Sequence, residues 1–412
     1  MDKFLEFYGR ALFVFLLAAT ALIGTGGFDF GGGPGISCWS VSRTTFFFWL
    51  IWKIMVAVRT GNWYAGWFPT PIFLLLLSFF LVVTVSLIPD FRWSIGDFRY
   101  LFFGCVHAVM IMDLFCDEPR LNYLVVVLGI VPGMLFVRGV LADPELLLFH
   151  EMRRLGDPLD HANTAGYVLS MSLPLAITIV ALARGRFRWV AGASVAAQFA
   201  ALVLTYSRGA WLGAAAGCSL VSILRKSWKP IAVAALTAML CFGLIKPLRE
   251  RFLTFVDPRT DYAMNERVHV MRDAFAVGVH NPVLGVGYGR GRLKQALRSK
   301  YVGTERFNQP IWHAHNLYVE LFAETGILGL AVFIALIVRT GYELRRAVLR
   351  EAAERRTRAV GLAGAWTAAV ITAIGDIPFY HHETRIFFFT LLGVAVCLSR
   401  ADQRCSLFAR QG

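Results

Sequence analysis

The chain has 412 residues, of which 57% are hydrophobic and only 17% charged, with a mean hydropathy of +0.58. A soluble globular chain carries about 25% charged residues, so this composition excludes an ordinary soluble protein of two or three domains. The net charge of +14 does not indicate a nucleic-acid binder: no basic cluster is interleaved with aromatic residues on a soluble module, and excess Lys and Arg fit cytoplasmic loops and anionic lipid headgroups.

Apolar runs near the ~20 residues that cross a bilayer recur along the whole length. Hydropathy in a ~19-residue window predicts an all-α, polytopic helical bundle, one integral membrane domain over 1–412. About twelve transmembrane helices are expected, roughly at 8–26, 44–58, 71–89, 100–115, 121–141, 164–183, 189–205, 209–224, 231–246, 316–338, 359–377 and 386–399. Ala19-Thr20-Ala21 imitates a signal-peptidase site, but the many later spans make the first one an uncleaved helix. With the N-terminus inside, short inside segments hold 20 Lys and Arg and short outside ones 8. That asymmetry predicts an inner-membrane protein with both termini cytoplasmic. Seven scattered cysteines, Cys38, Cys105, Cys116, Cys218, Cys241, Cys397 and Cys405, show neither a disulfide framework nor a metal-type spacing.

Asp157 to Gly166, DPLDHANTAG, is expected to cap the start of a span, and Thr205-Tyr206-Ser207-Arg208-Gly209-Ala210-Trp211 to form a sharp outside turn. An Arg at a helix end is most often an interfacial anchor. Arg208 differs, because the positive-inside bias gives it no place in a short outer turn, and it opens a helix whose N-terminus faces outward.

Residues 247–314 form one long periplasmic loop. Within it Asn265–Val279 predicts an amphipathic helix, with Val268, Met271 and Phe275 on one stripe and Arg267 beside it; Asn281-Pro282 ends it. The following LGVGYGRG, with Gly285, Gly287, Gly289 and Gly291, is no dinucleotide fingerprint. Arg290 takes the third glycine's place, and the segment follows a helix rather than a strand. It predicts a tightly turned loop beside a cleft.

Trp312 to Leu330, WHAHNLYVELFAETGILGL, places His313, His315 and Asn316 at the head of an apolar stem that runs on without charge to Val338. A helix N-terminus favours an anion and disfavours imidazolium, so a neutral His315 able to accept a proton is expected there. Gly326 and Gly329 predict close approach of another helix. Gly341–Arg358 alternates Arg and Glu at helical spacing, as a solvated helix continuing the span would. His381, His382 and Glu383 imitate a metal site, but two adjacent His cannot share a helical face and the outer loops offer no Cys beyond Cys38.

Topology thus brings Arg208, the Arg267 helix and His315 to the outer face. Two guanidiniums and two helix N-termini suit a multiply charged anion such as a lipid-linked pyrophosphate, and a neutral His suits proton abstraction.

Here the sequence resembles the O-antigen ligase family, which also includes O-antigen polymerases. His315-Asn316, nine residues and then Gly326-Ile327-Leu328-Gly329 resemble its His-(Asn/Ser/Gln)-x9-Gly-x-x-Gly motif. Ser207-Arg208-Gly209 resembles its Ser-Arg-Gly turn. Glu266-Arg267 through Pro282-Val283-Leu284-Gly285-Val286-Gly287 resembles its loop helix and the segment after it, and Asp160 to Gly166 its Asn-rich span start. The likeness covers roughly residues 155–395, and Met271 stands where the family frequently has Trp. It implies glycosyl transfer without cofactor or metal, from undecaprenyl pyrophosphate to an acceptor sugar hydroxyl on lipid A-core or another glycan. His315 would be the base, Arg208 and Arg267 the pyrophosphate ligands and electrostatic catalysts, and Asn316 a substrate-binding neighbour. A polymerase is the nearest alternative. A lipid-linked oligosaccharide transporter is the other, for which the mid-span ionisable candidates are few: His107, Asp113 and Lys53.

Overall fold

The computed structural model describes residues 2–25, 38–61, 70–87, 95–115, 118–147, 153–156, 159, 161–256, 262–301 and 313–399. Asp157, Asp160, Trp312, Cys116, Cys405 and the basic tail with Arg400, Arg404 and Arg410 lie outside them. Among the described residues there is no strand. The helices run α1 (Asp2–Thr25), α2 (Cys38–Thr60), α3 (Pro71–Ser86), α4 (Ile95–Leu114), α5 (Glu118–Ile130), α6 (Met134–Ala142), α7 (Ala162–Leu182) and α8 (Gly185–Leu204). They continue with α9 (Arg208–Arg225), α10 (Lys229–Leu244), α11 (Lys246–Val256), α12 (Tyr262–His280), α13 (Arg290–Tyr301), α14 (Leu317–Arg350), α15 (Ala353–Gly375) and α16 (His382–Ser399).

All twelve expected spans fall on helices, but among the described residues only seven helices are long and apolar enough to cross a membrane. These are Ser40–Thr60, Glu118–Ala142, Ala162–Leu182, Gly185–Leu204, Leu317–Arg350, Ala353–Gly375 and His382–Ser399; Pro71–Ser86 is apolar but shorter. Glu118–Ala142 joins α5 to α6 through a 3-10 turn at Val131–Gly133, where Pro132 interrupts the ladder.

The centre is built from α7, α9 and α15, drawn together by small residues. A Cβ at Gly213 of α9 would sit 2.0 Å from Thr372 Oγ1, and one at Gly217 2.4 Å from the Gly364 carbonyl of α15. In lipid, where apolar surface alone does not drive helices together, such backbone contact is what fixes a pair. Its consequence is positional: the first turn of α9 is set against the last turn of α15, with Gly209 Cα 3.7 Å from where a Gly375 Cβ would stand. The mid-span ionisable groups pair inside the bundle. Lys53 Nζ donates to Asp113 at 2.8 Å, as does Trp49 Nε1, and His107 Nδ1 meets Ser42 Oγ at 2.8 Å.

Two expectations are corrected. Gly326 does not receive another helix. Its φ of +65° breaks α14, and the glycine-rich loop fills the break: Ile327 and Leu328 N–H donate to the carbonyls of Pro282 and Val283, while Val286 and Gly287 N–H donate to those of Ala323 and Glu324. A Cβ at Gly326 would lie 2.2 Å from the Val283 carbonyl oxygen, and one at Gly285 2.3 Å from the Glu324 carbonyl carbon. The motif's first glycine is thus a backbone-to-backbone joint. In α12 the buried face is Val270, Ala274 and Val277, the last two packed with Leu293, Leu297, Ala314 and Ala323. Val268 and Phe275 of the expected stripe are exposed instead. An apolar stripe beside a bilayer can face lipid as readily as protein. The Arg/Glu segment from Gly341 is helical to Arg350, turns at Glu351-Ala352 and resumes as α15.

Candidate active site

α14 begins because Asn316 caps it: the side-chain Oδ1 accepts from Tyr318 and Val319 N–H, at 3.0 and 3.1 Å. Its Nδ2 donates to the Ile374 carbonyl at 3.0 Å, tying the start of α14 to the end of α15. The residue before it, His315, has φ +52°, a left-handed conformation that His adopts more readily than most. This kink turns the two histidines apart. His313 Nδ1 lies 3.0 Å from Glu320 Oε1, and Glu320 is fully buried and also accepts from Ala314 N–H. The His315 ring is 36% exposed against 14% for His313.

His315 Nδ1 is 3.3 Å from Oδ1 of Asp376, the residue that ends α15. Burial alone would raise the Asp376 pKa. The hydrogen bond from His315 and the Arg267 guanidinium outweigh it, and the carboxyl is held well below the usual carboxylate range. An ionised carboxylate only accepts. Nδ1 therefore carries the hydrogen, and a neutral ring keeps its lone pair on Nε2.

Asp376 is the hub. Its Oδ1 also accepts from Ile377 N–H at 2.9 Å, and its Oδ2 accepts from Asn163 Nδ2 at 2.7 Å. Arg267 Nη2 stands 3.9 Å from Oδ2. The Tyr167 hydroxyl lies beside the same carboxyl. Arg154 enters through Asn163: its Nη2 donates to Asn163 Oδ1 at 2.6 Å and its Nε to the Thr205 carbonyl at 2.9 Å. Burial first, then the nearby Arg267 charge, lowers the Arg154 pKa, and Arg208 acts in the same direction. Arg208 opens α9 with its side chain largely buried. Tyr206, two residues earlier, has φ +51°, so both turns that deliver site residues hold a non-glycine residue in the left-handed region.

The structure therefore brings Arg267 and His315 to one acid, Asp376, and sets Arg208 within charge range of Arg154. It adds Asp376, Arg154, Asn163 and Tyr167. The Asp157–Gly166 segment does cap α7, through His161 Nδ1 accepting from Asn163 N–H at 3.1 Å. Of the loop histidines, His381 stacks 6.2 Å from His161, and His382 packs 3.6 Å from the Tyr100 ring. Arg267 at the carboxylate, Arg154 one residue behind it and Arg208 beside Arg154 give this end of the bundle an excess of positive charge next to an oriented imidazole. Such a set has the chemistry to bind an anion and to remove a proton next to it.

Comparison with known proteins points the same way. Residues 192–334 match the family model described as O-Antigen ligase, a range that contains Arg208, Arg267, His315 and Asn316. An O-antigen ligase of Salmonella typhimurium (strain LT2) is 24% identical over 319 residues, covering 74% of this chain and 75% of the relative. Exopolysaccharide production protein ExoQ of Rhizobium meliloti (strain 1021) is 20% identical over 374 residues, 76% of this chain and 82% of that protein. By the match over residues 192–334 and these two relatives, this membrane chain is similar to the O-antigen ligase family.

Proposed function

We propose that the protein is a metal-independent membrane glycosyltransferase of the O-antigen ligase type, moving a glycan from undecaprenyl pyrophosphate to a sugar hydroxyl of lipid A-core. The observation that carries this reading is the His315–Asp376 pair beside Arg267, with Arg154 joined to it through Asn163 and Arg208 within charge range of Arg154. As the acceptor oxygen attacks the anomeric carbon, His315 Nε2 takes its proton, and Asp376 holds the ring and stabilises the imidazolium that forms. The bond from the anomeric carbon to the pyrophosphate oxygen breaks, and its electron pair leaves with that oxygen. Arg208 and Arg267 offset the charge that grows there. Asn316 acts by setting the start of α14, with its second amide hydrogen available to a substrate oxygen.

A second reading, polymerisation of lipid-linked repeats, is favoured by the similarity to a protein named for exopolysaccharide production. Deleting the gene and resolving the host's lipopolysaccharide on a gel separates the two. Loss of all polymer on lipid A-core, with lipid-linked polymer accumulating, is the ligase result. Core carrying a single repeat is the polymerase result, and an unchanged pattern overturns both.

Among the described residues no group of three or more His, Cys, Asp or Glu is arranged to hold a metal ion. Transfer by the purified protein should accordingly survive excess EDTA; abolition with rescue by one divalent ion would show that metal independence is wrong. The site is assigned to the periplasmic face, with both termini cytoplasmic, on the 20-to-8 charge asymmetry. In a cysteine-free background, an impermeant thiol reagent added to cells with a permeable outer membrane should label His280→Cys and spare Ala353→Cys. The reverse pattern would put the site on the other side.

A further inference from the structure

The end of the bundle opposite His315 holds a second cleft, of about 330 Å³. α7 reaches it with its last turn, α15 with its first, and α5 and α8 with their N-terminal turns, so it lies the length of a helix away from the site above. Its walls divide by chemistry. Val125, Ile179 and Phe187 make an apolar side, while Arg184 and Arg358 supply cations and Asn122 an amide. Arg358 is held in place by Glu118 at 3.4 Å and by Glu354, which also lines the cleft, at 3.5 Å. Arg184 makes no ion pair among the described residues. Asn122 Oδ1 is buried with no hydrogen-bond partner among the described residues, and as an acceptor it requires a donor that a phosphate oxygen cannot supply.

A second observation says what surrounds the cleft. Tyr123 beside Asn122, Trp189 in the second turn of α8, and Trp228 between α9 and α10 all expose their rings at this end, Trp189 at 82%. Tyr and Trp with an apolar body and a polar tip collect at the lipid–water boundary. The cleft therefore opens at headgroup level, with its cations toward water and its apolar wall along the acyl chains.

We propose that this cleft binds an anionic glycerophospholipid whose headgroup carries a hydroxyl, as in phosphatidylglycerol. The phosphate sits between Arg184 and Arg358, a headgroup hydroxyl donates to Asn122 Oδ1, and an acyl chain follows Val125, Ile179 and Phe187. The assignment does not depend on the glycosyl-transfer reading.

Native mass spectrometry of the full chain in mild detergent tests it, with phosphatidylglycerol and phosphatidylcholine as probes. Wild type should retain phosphatidylglycerol in preference to phosphatidylcholine. Arg184→Ala should weaken that binding about tenfold, the effect of losing one charge-assisted contact. Arg346→Ala, which removes an equal charge from an exposed position of α14 outside the cleft, should leave it unchanged. Asn122→Leu should weaken phosphatidylglycerol but not phosphatidic acid, which lacks the headgroup hydroxyl. Equal retention of phosphatidylcholine, equal loss in Arg346→Ala, or displacement of the lipid by millimolar inorganic phosphate would each overturn the proposal.

Discussion

Turnover by His315→Ala is expected to fall about 10²–10⁴-fold, the usual loss when a positioned general base is removed. His313→Ala should cost far less. Both residues sit at the head of α14, so a requirement for mere polarity there would penalise the two equally. The structure separates them: His313 is turned back onto buried Glu320 and packs 5.3 Å from the Tyr380 ring, while His315 projects its free edge from the Asp376 pair. Donor binding, measured apart from turnover, should fall less than turnover in His315→Ala. Asp376→Asn should also lower turnover, because a neutral amide no longer fixes the Nδ1–H tautomer or stabilises an imidazolium. The Asp376 carboxyl has a folded pKa below its ordinary value. Its contribution to stability is therefore complete above the ordinary carboxylate pKa and fades only as pH falls toward the depressed one. If His315→Ala keeps most of its turnover, or loses donor binding in proportion, His315 is a pyrophosphate ligand or a packing residue and not the base.

The helical class was legible in the sequence, and so was the common neighbourhood of Arg267 and His315, because topology limits which span ends share a face. Asp376 was not. It is 61 positions from His315, and their meeting depends on how α14 is set against α15. That register is held by Asn316 Nδ2 donating to the Ile374 carbonyl and the Tyr318 hydroxyl to the Val370 carbonyl, side-chain bonds that leave no periodic trace. A signal did exist: Asp376 is an acid directly after an apolar span, on the side where Arg208 and His315 also emerge. Arg154 reads in the sequence only as a loop charge, since nothing near it announces a partner in Asn163. The misassigned face of α12 has a different cause. Hydrophobic periodicity locates an apolar stripe, but in a membrane protein the stripe does not say whether protein or lipid covers it, and here Ala274 and Val277 face inward while Phe275 faces out. Gly326 shows a third limit. The spacing of a Gly-x-x-Gly pair suggests helix contact, and only the backbone shows that a loop carbonyl occupies the space.

Arg208→Ala and Arg267→Ala are each expected to lower kcat about 10²–10³-fold, comparable to removal of one donor aimed at a developing oxyanion, with expression and melting temperature little changed. The two side chains come from different elements, the first turn of α9 and the second turn of α12, so one variant does not remove the other's contact. Arg267 approaches Asp376 through one nitrogen at 3.9 Å, longer than a charge-assisted hydrogen bond of about 2.7–2.9 Å. The carboxylate therefore orients the guanidinium without occupying its fork, and the planar face of donors remains for phosphate oxygens. Lysine supplies a point charge on a flexible stem and cannot reproduce two parallel bonds. Arg208→Lys and Arg267→Lys should accordingly recover little of the lost kcat, although they restore the net charge of the site and with it part of the donor affinity. Kinetics with a lipid-linked pyrophosphate donor, reporting kcat and KM separately for all four variants, decide the matter. Near-full kcat in both lysine variants would mean that charge alone holds the leaving group. Intact kcat with a raised KM in both alanine variants would mean that the arginines bind the donor equally in its ground and transition states and contribute nothing to the chemical step.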